Sequence, residues 1–287
     1  MSRPDSARTD EGLFYRRHSD HNAARALVLC HGLASNSSRW NELGRSLDLP
    51  PGWCLLCPDL RGHGHNPWRG RLDSDRWISD LAEMTGHAGV ERVVMGGHCL
   101  GANLALRFAH ARPHECAGLV LIEPMLPVAR TGRLRRLARL APALRGLAAL
   151  VRMANVLGIR RREIPVLDLE TLDRETRHSM AQAGNERAMV RRYASPLPDL
   201  KYIPTAAYLQ SLHQTLAPLP GLDEIRQPAL ALISSGGLFG DPERTRQALA
   251  ALPDLSLTQL EARHWIPTEQ PEQLRKHLSD WLATRFG

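Results

Sequence analysis

The run Val93-Val94-Met95-Gly96-Gly97-His98-Cys99-Leu100-Gly101 constrains the fold more than any other stretch of the chain. Apolar residues lead into a Gly-rich corner with one nucleophilic side chain at its tip, and Ala102 to Leu106 continue with helical character. A strand that turns at once into a helix strains the residue at the apex and crowds the positions two before and two after it. Gly97 and Gly101 occupy those positions, relieving the crowding and leaving Cys99 to project above the strand end. Alone, the stretch fits both a functional corner and a plain strand–turn–helix joint with a buried cysteine.

The flanking sequence repeats the strand-then-helix order. Ala26 to Cys30 is a short apolar run that ends in His31-Gly32-Leu33-Ala34, and helical spacing follows over Trp40 to Leu49. Strands are predicted at Cys54 to Pro58, Val90 to Met95 and Leu119 to Ile122, with helices over Arg76 to Ala88 and Gly101 to Ala111. From Met125 to about Gly221 the pattern is helical with proline breaks. Strands resume at Ala229 to Ser234 and Leu255 to Leu260, with helices over Pro242 to Leu252 and Glu272 to Phe286. With no hairpin signal until late in the chain, this order predicts an α/β fold: a mostly parallel sheet of about eight strands, covered by helices on both faces. The expected organisation is a core over 1–124, a helical insertion over 125–221 and the rest of the core over 222–287.

With 287 residues, 43% of them apolar, the chain can bury a core of this size. No run of 18 uncharged apolar residues occurs, so no membrane span is expected, and Met1 to Arg17 lacks the apolar segment of a signal peptide. Five cysteines at irregular spacing argue against a disulfide framework, and a cytoplasmic home is the default. Cys54 and Cys57 form a C-x-x-C, but on a strand residues three apart point to opposite faces, which disfavours redox or metal use. The net charge of +7 comes from arginine far more than lysine.

Four separated marks then fall in one order: the His31-Gly32 loop, Asp59-Leu60-Arg61-Gly62-His63-Gly64, the Gly97-x-Cys99-x-Gly101 corner, and a late Ala262-Arg263-His264-Trp265. Together they span nearly the whole core, and the chain resembles a capped α/β-hydrolase, with cysteine where the family's nucleophile elbow usually carries serine. The resemblance implies that Cys99 is the nucleophile, that His264 is the base, and that the backbone N–H groups of Leu33 and Leu100 form the oxyanion hole. It implies no cofactor and no metal. His31 reads as a structural loop residue, and Asn36 as a turn residue or an extra polar contact. The other histidines mostly read as surface, with His98 left open. The acid is less defined: the usual Gly-x-x-Asp slot is empty near Gly237. The favoured acid is Glu123, after the strand Leu119 to Ile122; the alternative is Asp241, whose following Pro242 also suits an ordinary helix N-cap.

Cysteine tilts the expected chemistry. An acyl group on Cys99 would be a thioester, which exchanges readily with thioester substrates and reacts with amines, thiols and carbanions. The expected enzyme cleaves a small-molecule ester or thioester, by hydrolysis or by acyl transfer as an acyltransferase. A non-catalytic binding protein on the same fold is the alternative from another class. Similar Cys-Leu-Gly elbows occur in polyhydroxyalkanoate synthases, which are longer, and dienelactone hydrolases use cysteine without a large cap. Between Arg130 and Arg162 lie ten arginines and no acidic residue, with Leu134, Leu137, Ala141, Leu144, Leu147 and Val151 at helical spacing. This segment reads as a cap helix with its apolar side over the site and solvated arginines outside. Its charge would also suit an acidic acyl carrier protein, coenzyme A or an anionic membrane surface. No nucleic-acid-binding pattern is present.

Overall fold

The computed structural model describes residues 4–18, 23–183 and 186–287. The first three positions of the polar N-terminal stretch and two positions of the 125–221 segment lie outside the described residues.

Eight strands form one sheet: β1 (Asp5–Arg8), β2 (Phe14–His18), β3 (Arg25–Cys30), β4 (Trp53–Pro58), β5 (Arg92–His98), β6 (Cys116–Ile122), β7 (Ala229–Ser234) and β8 (Leu255–Leu260). Their order across the sheet is β1-β2-β4-β3-β5-β6-β7-β8. The strands from β4 to β8 pair in parallel, and β2 pairs antiparallel with both β1 and β4. In the parallel strands, alternate residues feed two separate cores, as strands covered on both faces require. Val28, Leu56, Met95 and Leu121 face one core, and Leu27, Leu55, Val94 and Val120 face the other. Cys54 and Cys57 fall in different cores, as their spacing predicts.

Twelve helices are described: α1 (Asn41–Ser46), α2 (Ser74–His87), α3 (Leu100–Ala111), α4 (Gly132–Arg139), α5 (Ala141–Val156), α6 (Leu169–Ala183), α7 (Glu186–Ala194), α8 (Pro196–Asp199), α9 (Thr205–Leu216), α10 (Pro242–Leu249), α11 (Ile266–Glu269) and α12 (Pro271–Phe286). Trp77 and Leu81 of α2, Phe108 of α3 and Leu249 of α10 cover the first core, while Leu43 of α1 and Leu278 and Trp281 of α12 cover the second. Helices α4 to α9 all lie between β6 and β7 in the chain. Because β4 and β5 flank β3 on opposite sides, the loops leaving β3 and β5 part at a topological switch point, where open α/β sheets leave a crevice.

Three expectations change. The first is the hairpin β1–β2, which precedes the first strand read from the sequence. Its Phe-Tyr-Arg-Arg-His strand carries only two apolar residues, because strands near an edge tolerate charge that a central strand does not. Second, His63 and His18 are buried rather than at the surface. The His63 ring packs against His31 at 5.0 Å and Trp77 at 6.4 Å, and burial pushes its pKa down to about 3, so it is carried as a neutral core ring. Third, α5 does not turn the expected apolar stripe wholly inward. Ala148 is buried and Leu144 and Val151 are half-buried, but Leu147 is 48% exposed.

The turn after β4 is organised by Asp59. Its fully buried carboxylate accepts from the Ser37 N–H at 2.7 Å, the His65 N–H at 2.7 Å and His65 Nδ1 at 2.8 Å, tying together the loops after β3 and β4. Gly64 is obligatory beside it: its φ is +50°, and a Cβ there would lie 2.2 Å from Asp59 Oδ2. Burial alone would raise the Asp59 pKa, but the hydrogen bonds from His65, the nearby His31 and the Ser37 bond bring it to about 2. The folded pKa is below the ordinary 3.8, so the stabilisation is present above pH 4 and is lost as pH falls through about 2. Asp59→Asn is expected to cost about 2 kcal/mol at neutral pH, with the deficit shrinking below pH 4 in urea denaturation curves.

Candidate active site

Strand β5 ends at His98, and Cys99 turns the chain at φ 55° and ψ −110° before α3 begins at Leu100. The left-handed apex is held by the Cys99 N–H, which donates to the Ile122 carbonyl at the end of β6 (2.9 Å), and by the first helical bond from the Asn103 N–H to the Cys99 carbonyl (3.1 Å). A Cβ on either Gly97 or Gly101 would sit 2.3 Å from the Cys30 carbonyl oxygen. The two glycines therefore let the corner rest directly on the end of β3. Cys99 is partly exposed, whereas Cys30, Cys54, Cys57 and Cys116 are all buried.

The loop between β8 and α11 brings His264 to the same place. Glu269 of α11 accepts from the N–H groups of Arg263, His264 and Trp265, at 2.9, 3.2 and 2.8 Å, and so fixes the loop backbone. His98 adds a second anchor: its Nε2 donates to the His264 carbonyl at 2.9 Å, with the two rings 4.8 Å apart. Burial and the neighbouring His264 hold the His98 pKa well below the usual histidine range, which keeps that ring neutral.

Glu123 stands one residue beyond β6 at a positive φ of 52°. Its N–H donates to the Leu232 carbonyl at 2.9 Å, and its Oε1 accepts from the Ser234 N–H. With the carboxylate pinned between β6 and β7, Oε2 accepts from His264 Nδ1 at 2.9 Å. The Cys99 side chain lies close enough to the imidazole to act on its titration. Burial would lower the His264 pKa, but the neighbouring Cys99 and Glu123 raise it to about 10.

Asp241 is held at the start of α10. Its side chain accepts from the Arg244 N–H at 3.1 Å and caps α10, while its own N–H donates to the Ala129 carbonyl. His31 is buried and structural, donating from Nδ1 to the Gly32 carbonyl and accepting the Leu60 N–H at Nε2 (3.0 Å). The loop it begins passes against the corner: a Cβ on Gly32 would be 3.5 Å from the Cys99 Cβ. Among the described residues, neither the Leu33 N–H nor the Leu100 N–H donates to a protein acceptor. Asn36 accepts from the Ser38 N–H as a turn residue does, and it also donates to the Leu167 carbonyl, 131 residues away.

Several residues here escaped the sequence reading. Phe239 meets the His264 ring edge-on at 4.8 Å, and Tyr193 packs on Trp265 at 5.3 Å, giving the site an apolar wall. Arg39, beyond the β3 loop, forms a buried pair with Asp173 of α6 at 2.9 Å, and Tyr193 donates to the same carboxylate at 2.7 Å. This network fixes the inserted helices to the core beside the site. Only Glu269 had a local signal, an acidic residue five positions after His264; Phe239 and Tyr193 come from other loops and helices, and Arg39 meets Asp173 across 134 residues of chain. Among the described residues, the carboxylates with metal-ligand spacing are Glu11, Asp80 and Glu83, and Arg61 and Arg76 already ion-pair there.

Residues 25–271 match the family described as alpha/beta hydrolase fold. Lipase LipV of Mycobacterium tuberculosis is 35% identical over 112 residues, 39% of this chain and 41% of that protein. The sn-1-specific diacylglycerol lipase ABHD11 of Danio rerio is 32% identical over 107 residues, 37% of this chain and 34% of that protein. The matched region is thus well under two thirds of either relative's length. Among solved structures, a thermophilic esterase from Thermogutta terrifontis aligns with a TM-score of 0.69 at 20% identity, over 100% of this chain and 99% of that one. The enol-lactonase from Burkholderia xenovorans LB400 aligns with a TM-score of 0.68 at 18% identity, over 97% of this chain and 100% of that one. At these identities the structural likeness carries the fold alone.

Proposed function

The chain belongs to the α/β-hydrolase fold family, and on that premise we propose that it is an enzyme cleaving a small-molecule ester or thioester through an acyl-cysteine intermediate. One observation carries the reading: His264 sits between the Glu123 carboxylate, 2.9 Å from Nδ1, and the thiol of the chain's one accessible cysteine, raised on a left-handed strand-to-helix corner. The similarity to a lipase and a diacylglycerol lipase, proteins named for ester cleavage, points the same way.

In this reading Glu123 holds the His264 proton on Nδ1, and Nε2 carries the proton that leaves Cys99, kept there because the His264 pKa is raised. Sulfur attacks the acyl carbon, and the carbonyl electron pair moves to oxygen, where the Leu33 and Leu100 N–H groups receive it. The tetrahedral adduct collapses, the bond to the leaving alkoxide or thiolate breaks, and His264 returns its proton to that group. Water or a second nucleophile then attacks the Cys99 thioester.

Cysteine in place of serine favours a second form of the same chemistry, in which an acceptor other than water takes the acyl group. The reading as a non-catalytic binding protein rested on an undefined acid, and the Glu123–His264 hydrogen bond favours the enzyme instead. The test is a panel of acyl esters and thioesters, each with and without added amine, thiol and alcohol acceptors. Turnover of at least one substrate is expected. Product found as free acid assigns hydrolysis, and product on the acceptor assigns transfer. No turnover on any member, with the thiol intact, sinks the proposal.

A further inference from the structure

The side of α5 that faces away from the core is apolar. The helix packs Ala148, Leu144 and Val151 inward towards α9. Its outer side carries Leu150 at 63%, Met153 at 64% and Leu157 at 78% exposure, with the exposed Leu140 and Leu147 between these and the covered face. At about 100° per residue those five side chains fall within one broad arc of the helix. A folded domain rarely leaves such a row in water unless something covers it.

What surrounds the row identifies the cover. The segment from 130 to 162 contains ten arginines and no carboxylate. Among the described residues none of these arginines forms an ion pair; those that bond within the protein reach neutral oxygens, Arg130 to Thr215, Arg152 to Gln210 and Arg161 to Lys201 and Ile203. Arg136, Arg139, Arg145, Arg160 and Arg162 are exposed. A second copy of this chain would bring the same uncompensated positive charge to the contact and be repelled. A purely aqueous anion would satisfy the arginines and leave the leucines wet. A bilayer surface with anionic headgroups satisfies both, taking the apolar row at the acyl boundary and the guanidinium groups among phosphates.

We propose that α4 and α5 form a surface-docking element that lays the Leu140–Leu157 row into the interface of an anionic lipid bilayer. No described helix is long and apolar enough to cross a membrane, so the contact is one of lying on the surface. The inference does not depend on the acyl-cysteine reading.

Co-sedimentation of the full chain with phosphatidylcholine vesicles, alone or mixed with phosphatidylglycerol, tests it. Binding to the mixed vesicles is expected to exceed binding to phosphatidylcholine by about tenfold and to weaken with salt. The double variant L150E/M153E alters only exposed positions and should melt like the wild type, yet lose binding about tenfold or more. R136S/R139S should weaken binding and flatten its salt dependence. The proposal is overturned if the wild type stays in the supernatant with mixed vesicles. It is equally overturned if L150E/M153E binds like the wild type, or if sedimentation velocity finds a dimer without lipid that L150E/M153E dissolves.

Discussion

His264→Ala is expected to lower turnover by on the order of 10³-fold and to slow alkylation of Cys99 by iodoacetamide at neutral pH. The reason is the imidazole beside the thiol: His264 takes up and holds the proton that must leave before sulfur can attack. The alkylation readout is clean because the other four cysteines are buried. Equal labelling of wild type and variant would remove His264 from the chemistry. The raised pKa sets a pH window as well. The folded value of about 10 lies above the ordinary 6.5, so the His264 interactions stabilise the fold fully below pH 6.5 and are lost as pH rises through about 10. Return of the proton to the leaving group needs the imidazolium, so the alkaline limb of turnover should fall near the same pH.

Glu123→Gln is expected to reduce the acylation rate by on the order of 10²-fold, while Asp241→Asn leaves it within about twofold. A glutamine amide at 123 keeps the size but can present an N–H to Nδ1, which favours the wrong tautomer and removes the charge that holds the imidazolium. The loss should be smaller than in a serine enzyme, since a thiol gives up its proton more easily than a hydroxyl does. Asp241, by contrast, caps α10 through the Arg244 N–H, and asparagine caps helices about as well. Pre-steady-state acylation of the two variants decides between the carboxylates; a larger loss in Asp241→Asn would reverse the assignment.

How legible these features are in the sequence depends on their range. The five central strands stand out because strands buried on both faces must be apolar throughout, and the two glycines flanking Cys99 mark a corner that only glycine can serve. The order of strand ends across the sheet is a different kind of information. Glu123 reaches His264 because β6, β7 and β8 lie side by side, and spacing along the chain favours Glu123 over Asp241 only by its place at a strand end. His98 is ambiguous for the same reason, since its partner is a carbonyl 166 residues away. The α5 periodicity reports that a stripe exists, and only its packing on α9 tells which side is covered. His63 reads as surface from its polar neighbours, because sequence does not reveal that its turn folds beneath α2.

The most direct test of the acyl-cysteine account is the intact mass of the protein mixed rapidly with a reactive acyl thioester or ester. The account predicts a transient gain of one acyl group on the wild type, absent in Cys99→Ala and located on Cys99 by peptide mapping. Turnover that proceeds in Cys99→Ala, or an acyl adduct of unchanged yield in that variant, would contradict it.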